Sequence, residues 1–313
     1  MNERRWAALL LSVCAVLGGC GTLPDARPFS EATVSLAASV VMSGRAITDS
    51  LVEAGGAVPG DAAVYAQLAV DFGGAWAHRI DATDAAVVYA ESIADLVAAG
   101  SQGAATVDGV ADALTTLSQG VGLSLTTPAV AAAGDAARLI HARIAVVRAS
   151  DRLSDALAHA QPAIDRVAAR IVAESEQQLR PILLAVHRNV QSGIKSVYEE
   201  DNNFAAQARK QRELQRQKVL RDPAALPRLQ EYDGAQQTVD ARLETRDRRL
   251  AQAAVAYRAR LQLLNALASA TLAWAQAHRD LAAAVRERRA VHVGELQDAL
   301  VNLKALARKV GDL

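Results

Sequence analysis

The sequence predicts an all-α protein: an elongated antiparallel helical bundle with long, coiled-coil-like helices. Three observations carry this expectation. The chain is 51% hydrophobic yet only 4% aromatic, a composition that strands do not favour. Alanine, the strongest helix former, supplies 69 of the 313 residues. Apolar residues also recur at alternating spacings of three and four, which places them on one helix face. The same composition excludes a disordered chain, because it is too apolar. It also excludes a disulfide-stapled scaffold, because there are only two Cys. Each Ala buries little area. At roughly 25 cal/mol per Å², such a bundle must collect many small contacts along long helices.

The first element is an export signal. Residues 1–5 carry Arg4 and Arg5, and residues 6–17 form an apolar run of twelve. That run has the length of a signal-peptide core and is too short to span a bilayer. It ends in Leu17-Gly18-Gly19-Cys20. This segment resembles the lipobox of bacterial lipoproteins: an aliphatic residue, two small residues, then Cys. The resemblance covers residues 1–21. It implies cleavage between Gly19 and Cys20, a diacylglyceryl group on the Cys20 thiol and an acylated new amine such as palmitate supplies. At roughly 0.8 kcal/mol per buried CH₂, several acyl chains hold a protein permanently. In Gram-negative lipoproteins an Asp after the Cys commonly signals inner-membrane retention. Gly21 stands there instead, which implies the outer membrane in such a source.

The mature chain is expected to open with a lipidated tether, residues 20–29, and to continue as one helical bundle domain, residues 30–313. Ser30 is a candidate N-cap for a stripe of Thr33, Ala37, Val40, Gly44, Ile47 and Leu51. Gly55, Gly56, Pro59 and Gly60 break the chain. Asp61 is placed to cap a short helix with Val64, Leu68 and Phe72, which Gly73-Gly74 would end. Asp81 is placed to cap the next, with Ala82, Ala86, Tyr89, Ile93 and Leu96 on one face.

A Gly/Thr-rich apolar insertion follows at about 100–134. Residues 113–134 hold no charge over 22 positions. Leu139, Val146, Leu153 and Val167 then start a long helical pattern, with Pro162 and Pro181 as kinks or restarts. It runs on through Leu183, Val186, Val190, Ile194 and Val197. Glu199-Glu200-Asp201 reads as a solvated acidic run near a helix end. Pro223 and Pro227 make a break. From Thr238 to Arg288 neither Pro nor Gly occurs, which allows a rod of roughly 75 Å. Leu243, Leu250, Tyr257, Leu261, Leu264 and Ala268 keep a heptad-like face along it. The last stripe is Val293, Leu296, Leu300, Leu303, Ala307 and Val310. It is a candidate partner or self-association face, set against the ordinary expectation that it packs on its own bundle.

Charge is uneven. Residues 21–135 carry 3 basic and 13 acidic side chains, and residues 136–313 carry 29 and 20. Packing of the acidic half on the basic half explains this simply. The functional alternative is a basic patch for anionic partners, formed by Arg209, Lys210, Arg212, Arg216, Lys218 and Arg221. Arg286, Arg288 and Arg289 form a second cluster. No aromatic residues interleave these cations for base stacking, so nucleic acid is not expected as a partner.

Catalytic chemistry is not expected. None of the six His sits in a HExxH motif, and no G-x-S-x-G, P-loop or G-x-G-x-x-G occurs. Asp155 and His159 are spaced to meet on one helix face, and His292 stands three residues before Glu295, but neither pair makes a metal set. His278 falls at a core boundary. No cofactor is expected beyond the lipid on Cys20. The sequence therefore predicts a non-enzymatic, membrane-anchored lipoprotein of the cell envelope facing the periplasm. Its role would be structural or adaptor-like, toward protein or cell-wall partners. The alternative is a membrane-perturbing helical protein using segment 100–134, which resembles α-helical pore-forming toxins in layout only.

Overall fold

The computed structural model describes residues 23–56, 62–99 and 146–312, and the segments carrying the export signal and the 100–134 insertion lie outside them. The described chain is an all-α helical bundle with no strand among its described residues. Its helices are α1 (Arg27–Gly56), α2 (Ala62–Ala99), α3 (Val146–Glu174), α4 (Arg180–Val197), α5 (Glu199–Val219), α6 (Leu226–Glu287) and α7 (Gly294–Gly311).

Helix α1 begins four residues earlier than a cap at Ser30 allows. The Asp25 carboxylate accepts the Arg27 N–H at 3.0 Å, and Pro28 sits in the first turn, where its missing N–H costs nothing. Ser30 is buried inside the helix. All six residues of the expected α1 stripe are buried. Helix α2 runs unbroken through Gly73-Gly74 and Asp81, where a stop and a new cap were expected. Tertiary packing holds it: Phe72 and Trp76 flank the glycines and are buried, and the Trp76 indole N–H donates to the Val40 carbonyl at 3.0 Å. That outweighs the roughly 1 kcal/mol that each Gly costs a helix. The buried stripe there is Tyr65, Ala69, Phe72 and Trp76, while Val64 is exposed.

Pro162 is exposed on α3, which continues past it. Pro181 marks a real discontinuity. A π-helical turn, Ser175–Leu179, precedes it, and α4 restarts with the proline in its first turn. The wider turn accommodates the carbonyl that Pro cannot pair. Of the α4 stripe, Leu183, Val186, Val190 and Ile194 are buried and Val197 is exposed. The acidic run does lie at a helix end, since α4 stops at Val197 and Glu199, Glu200 and Asp201 open α5. There they complement the positive helix terminus. Asp201, however, is buried and pairs with Arg242 at 3.0 Å rather than being solvated. The Pro223/Pro227 break is short: Asp222 accepts the Ala224 N–H at 3.0 Å, capping the 3₁₀ turn Pro223–Ala225. Pro227 lies in the first turn of α6, so this helix has 62 residues and starts before the expected Thr238. Gly234 lies inside it with nothing near its missing Cβ. At 1.5 Å per residue α6 measures about 93 Å.

The contacts divide into two compact units. The first contains described residues of Met1–Ser43, Trp76–Ser175 and Asn265–Ala305. In it α1 runs antiparallel to α6: Phe29 meets His278, and the Trp274 indole donates to Thr33 Oγ1 at 3.2 Å. Helix α3 is also antiparallel to α6, through Ser154 to the Ala282 carbonyl and Asp165 to Arg279. The second contains Gly44–Ala75, Glu176–Leu264 and the end of α7. Here α5 runs antiparallel to α6. Asn202 meets Arg246, Arg209 meets Asp240 and Arg212 meets Asp233. The heptad-like α6 face is only partly covered in this unit, with Leu243, Leu250, Tyr257 and Leu261 half-buried.

Candidate functional site

Gly19 and Cys20, which carry the lipidation expectation, lie outside the described residues, as does segment 100–134. No described helix is long and apolar enough to cross a membrane.

The partner-face expectation for the last stripe is corrected. Val293, Leu296, Leu300, Leu303 and Val310 are all buried, as is Ala307. The regular spacing that marked them out is what lets α7 pack on its own fold. The face left in water is instead mostly polar, with Val301 and Ala305 as exposed apolar residues. The entry to α7 is tightly built. Arg288 adopts a left-handed φ of 55° after α6, and the Arg289 N–H reaches back to the Ala284 carbonyl at 3.1 Å, the closure of a Schellman-type helix end. Asp280 accepts from the Arg289 guanidinium and from the His292 N–H. Burial raises this carboxyl, but those bonds and the Arg289 charge outweigh it and hold it below its ordinary range. Arg286 and Arg289 both approach Glu287, so this cluster is largely paired.

The six expected basic-patch residues all lie on or just after α5 and all are exposed. They do not act alike. Arg209 and Arg212 turn toward α6, where Asp240 and Asp233 pair with them. Lys210, Arg216, Lys218 and Arg221 have no ion pair among the described residues. Lys210 and Lys218 flank Leu214 at intervals of four, so the three share the outer face of the helix.

The most concentrated chemistry is one that sequence reasoning placed only as a boundary. His278 is completely buried and touches all three other long helices of the first unit. The Tyr89 hydroxyl meets His278 Nε2 at 2.8 Å, and Gln161 Oε1 meets Nδ1 at 2.7 Å. The amide oxygen must accept, so Nδ1 carries the proton and Nε2 accepts from Tyr89. The Gln161 amide in turn donates to Asp165 and to the Ala275 carbonyl. Phe29 packs edge-on against the imidazole at 5.8 Å between centroids. Burial pushes the His278 pKa down to about 3, opposed by Asp165 and aided by Arg279. Burial likewise raises the Tyr89 hydroxyl. The neutral pair donates and accepts within a closed chain of described side chains.

Two arginines were also missed. Arg79 is 1% exposed, lies 6.0 Å from the Trp76 ring centre and reaches Glu174 at 3.5 Å. Desolvation lowers its pKa, Glu174 opposes that, and Arg170 adds to it. In the second unit, Arg260 donates to the Ser50 hydroxyl at 2.7 Å and to the Ser50 carbonyl at 3.0 Å. His187 stacks on Tyr257 there, 4.4 Å between ring centres. Desolvation, with Arg260 nearby, lowers its pKa.

Among the described residues no group of three metal-binding side chains converges. His159 bonds the Asp155 backbone carbonyl rather than its carboxylate. A shallow cleft of about 560 Å³ in the second unit is lined by Lys195, Glu199, Arg246 and Asp247 among others. Its two cations and two carboxylates select no charge class. The chain matches no protein-family model, no curated protein and no solved structure.

Proposed function

We propose that the protein is a non-enzymatic lipoprotein of the cell envelope, anchored through acyl chains on Cys20, whose helical fold serves a structural or adaptor role. The observation that carries this is the ordered set of Arg4 and Arg5, the apolar run 6–17 and Leu17-Gly18-Gly19-Cys20. The start of the fold supports it. Among the described residues Ala26 is the first buried side chain and Arg27 opens α1, six and seven positions after Cys20 in sequence. Such a short tether suits a protein held at a membrane surface. The polar groups of the first unit also favour packing over chemistry, because His278, Tyr89 and Gln161 bond one another. Outer-membrane placement and a protein or cell-wall partner are part of the same proposal.

Mass spectrometry of the chain from its own cells tests it directly, together with membrane fractionation and in-cell crosslinking. A mature N-terminus at Cys20 carrying acyl groups, found in the membrane fraction, is expected. Cys20→Ala should come off that fraction in a high-salt wash that the acylated protein resists, and lose its crosslinked partner. Recovery of a chain that retains residues 1–19, or is cut elsewhere without lipid, would overturn the proposal.

A further inference from the structure

We propose that the outer face of α5 and the turn joining it to α6 form a membrane-docking surface for an anionic lipid bilayer, independent of Cys20. Across residues 203–231 seven side chains are basic and three acidic. One acid, Asp222, is engaged as a cap, and two cations, Arg209 and Arg212, are paired to α6. Lys210, Arg216, Lys218, Arg221 and Arg228 remain exposed, without an ion pair among the described residues.

Three leucines stand among these cations. Leu214, Leu220 and Leu226 are 45%, 83% and 46% exposed. Single exposed leucines are ordinary on a protein surface. Three within one helical end and its turn, interleaved with free Lys and Arg, have the composition of an interfacial segment. There the apolar groups enter the headgroup–acyl boundary while the cations meet lipid phosphates. A soluble polyanion would satisfy the charges and leave the leucines in water. The leucines therefore choose the bilayer. With no described helix able to span a membrane, the contact is one that lies on the surface.

The chain's five lysines make the test internal. Lys210 and Lys218 are on the proposed surface, and Lys195 and Lys309 are exposed elsewhere. The full chain is acetylated under limiting reagent with vesicles of neutral phosphatidylcholine, or of phosphatidylcholine with about 30% phosphatidylglycerol. Peptide mass spectrometry reads each lysine. Anionic vesicles should slow Lys210 and Lys218 about fivefold relative to Lys195 and Lys309, and high salt should reverse it. Leu220→Ser with Leu226→Ser, both changes at exposed sites, should remove most of that protection. Equal rates at all four lysines would overturn the proposal. So would the same protection from soluble polyglutamate, or full protection in the double Ser variant, since either result makes the surface a general polyanion site.

Discussion

Acidification should unfold the first unit through His278. The folded protein holds this imidazole neutral down to about pH 3, whereas in the unfolded chain it takes a proton near its ordinary value of about 6.5. A depressed folded-state pKa means that the unfolded state binds the extra proton in the window between the two. Stability is fully present above about pH 6.5 and falls by about 1.4 kcal/mol for each pH unit below it. From pH 7 to pH 4.5 that window spans two units, or about 2.7 kcal/mol. His278→Gln cannot titrate, yet it can still donate toward Gln161 and accept from Tyr89. Carboxylates such as Asp280 respond to acid in both proteins and cancel in the comparison. The assay is urea unfolding followed by fluorescence, because Trp76 and Trp274 are both buried in this unit. The native protein should lose about 2.7 kcal/mol more than the variant on going from pH 7 to pH 4.5. An equal loss in both would refute the reasoning, since the imidazole would then accept its proton inside the fold.

Glycine positions should respond in opposite directions. Gly73→Ala and Gly74→Ala, which meet nothing within 4 Å, should each stabilise α2 by about 1 kcal/mol in thermal unfolding. Gly55→Ala, whose new Cβ would fall 2.6 Å from the Tyr65 Cβ, should destabilise by about 1–3 kcal/mol. Leu300→Asp should cost more than about 3 kcal/mol and lower the melting temperature, because it buries a charge at a 4% exposed core position. A folded variant that lost only a partner would contradict the burial of α7. Arg288→Gly should raise stability by about 0.5–1 kcal/mol in the same melts, since only glycine adopts the φ of 55° without strain.

The stripes in α1, the second half of α2 and α7 were legible because packing and spacing report the same fact: a residue on the apolar face is a residue in the core. Boundaries were less legible where side chains far away in sequence decide them. Gly73-Gly74 looked like a stop because the covering contact, Trp76 to Val40, is tertiary. Ser30 looked like a cap because Asp25, the group that binds Arg27, lies beyond a proline. Val293 to Val310 could have faced a partner or the chain itself, and periodicity does not distinguish the two. The basic run on α5 was visible, but its division into paired Arg209 and Arg212 and free Lys210 and Lys218 needed the position of α6. His278 and Arg79 were hidden for a related reason. A polar residue earns burial only from partners, and Tyr89, Gln161 and Glu174 are 189, 117 and 95 positions away from them.

Those separations also set an order of events when the chain is made. The Val40–Trp76 bond closes 36 residues, but the Trp274–Thr33 and Arg260–Ser50 bonds close 241 and 210. Helix α1 therefore emerges long before the helix that covers its remaining face. At roughly 5–20 residues per second the delay is on the order of ten to fifty seconds. Throughout it Thr33 and Ser50 lack the partners, Trp274 and Arg260, that bond them in the finished fold. Completion of the bundle thus waits on the last quarter of the sequence.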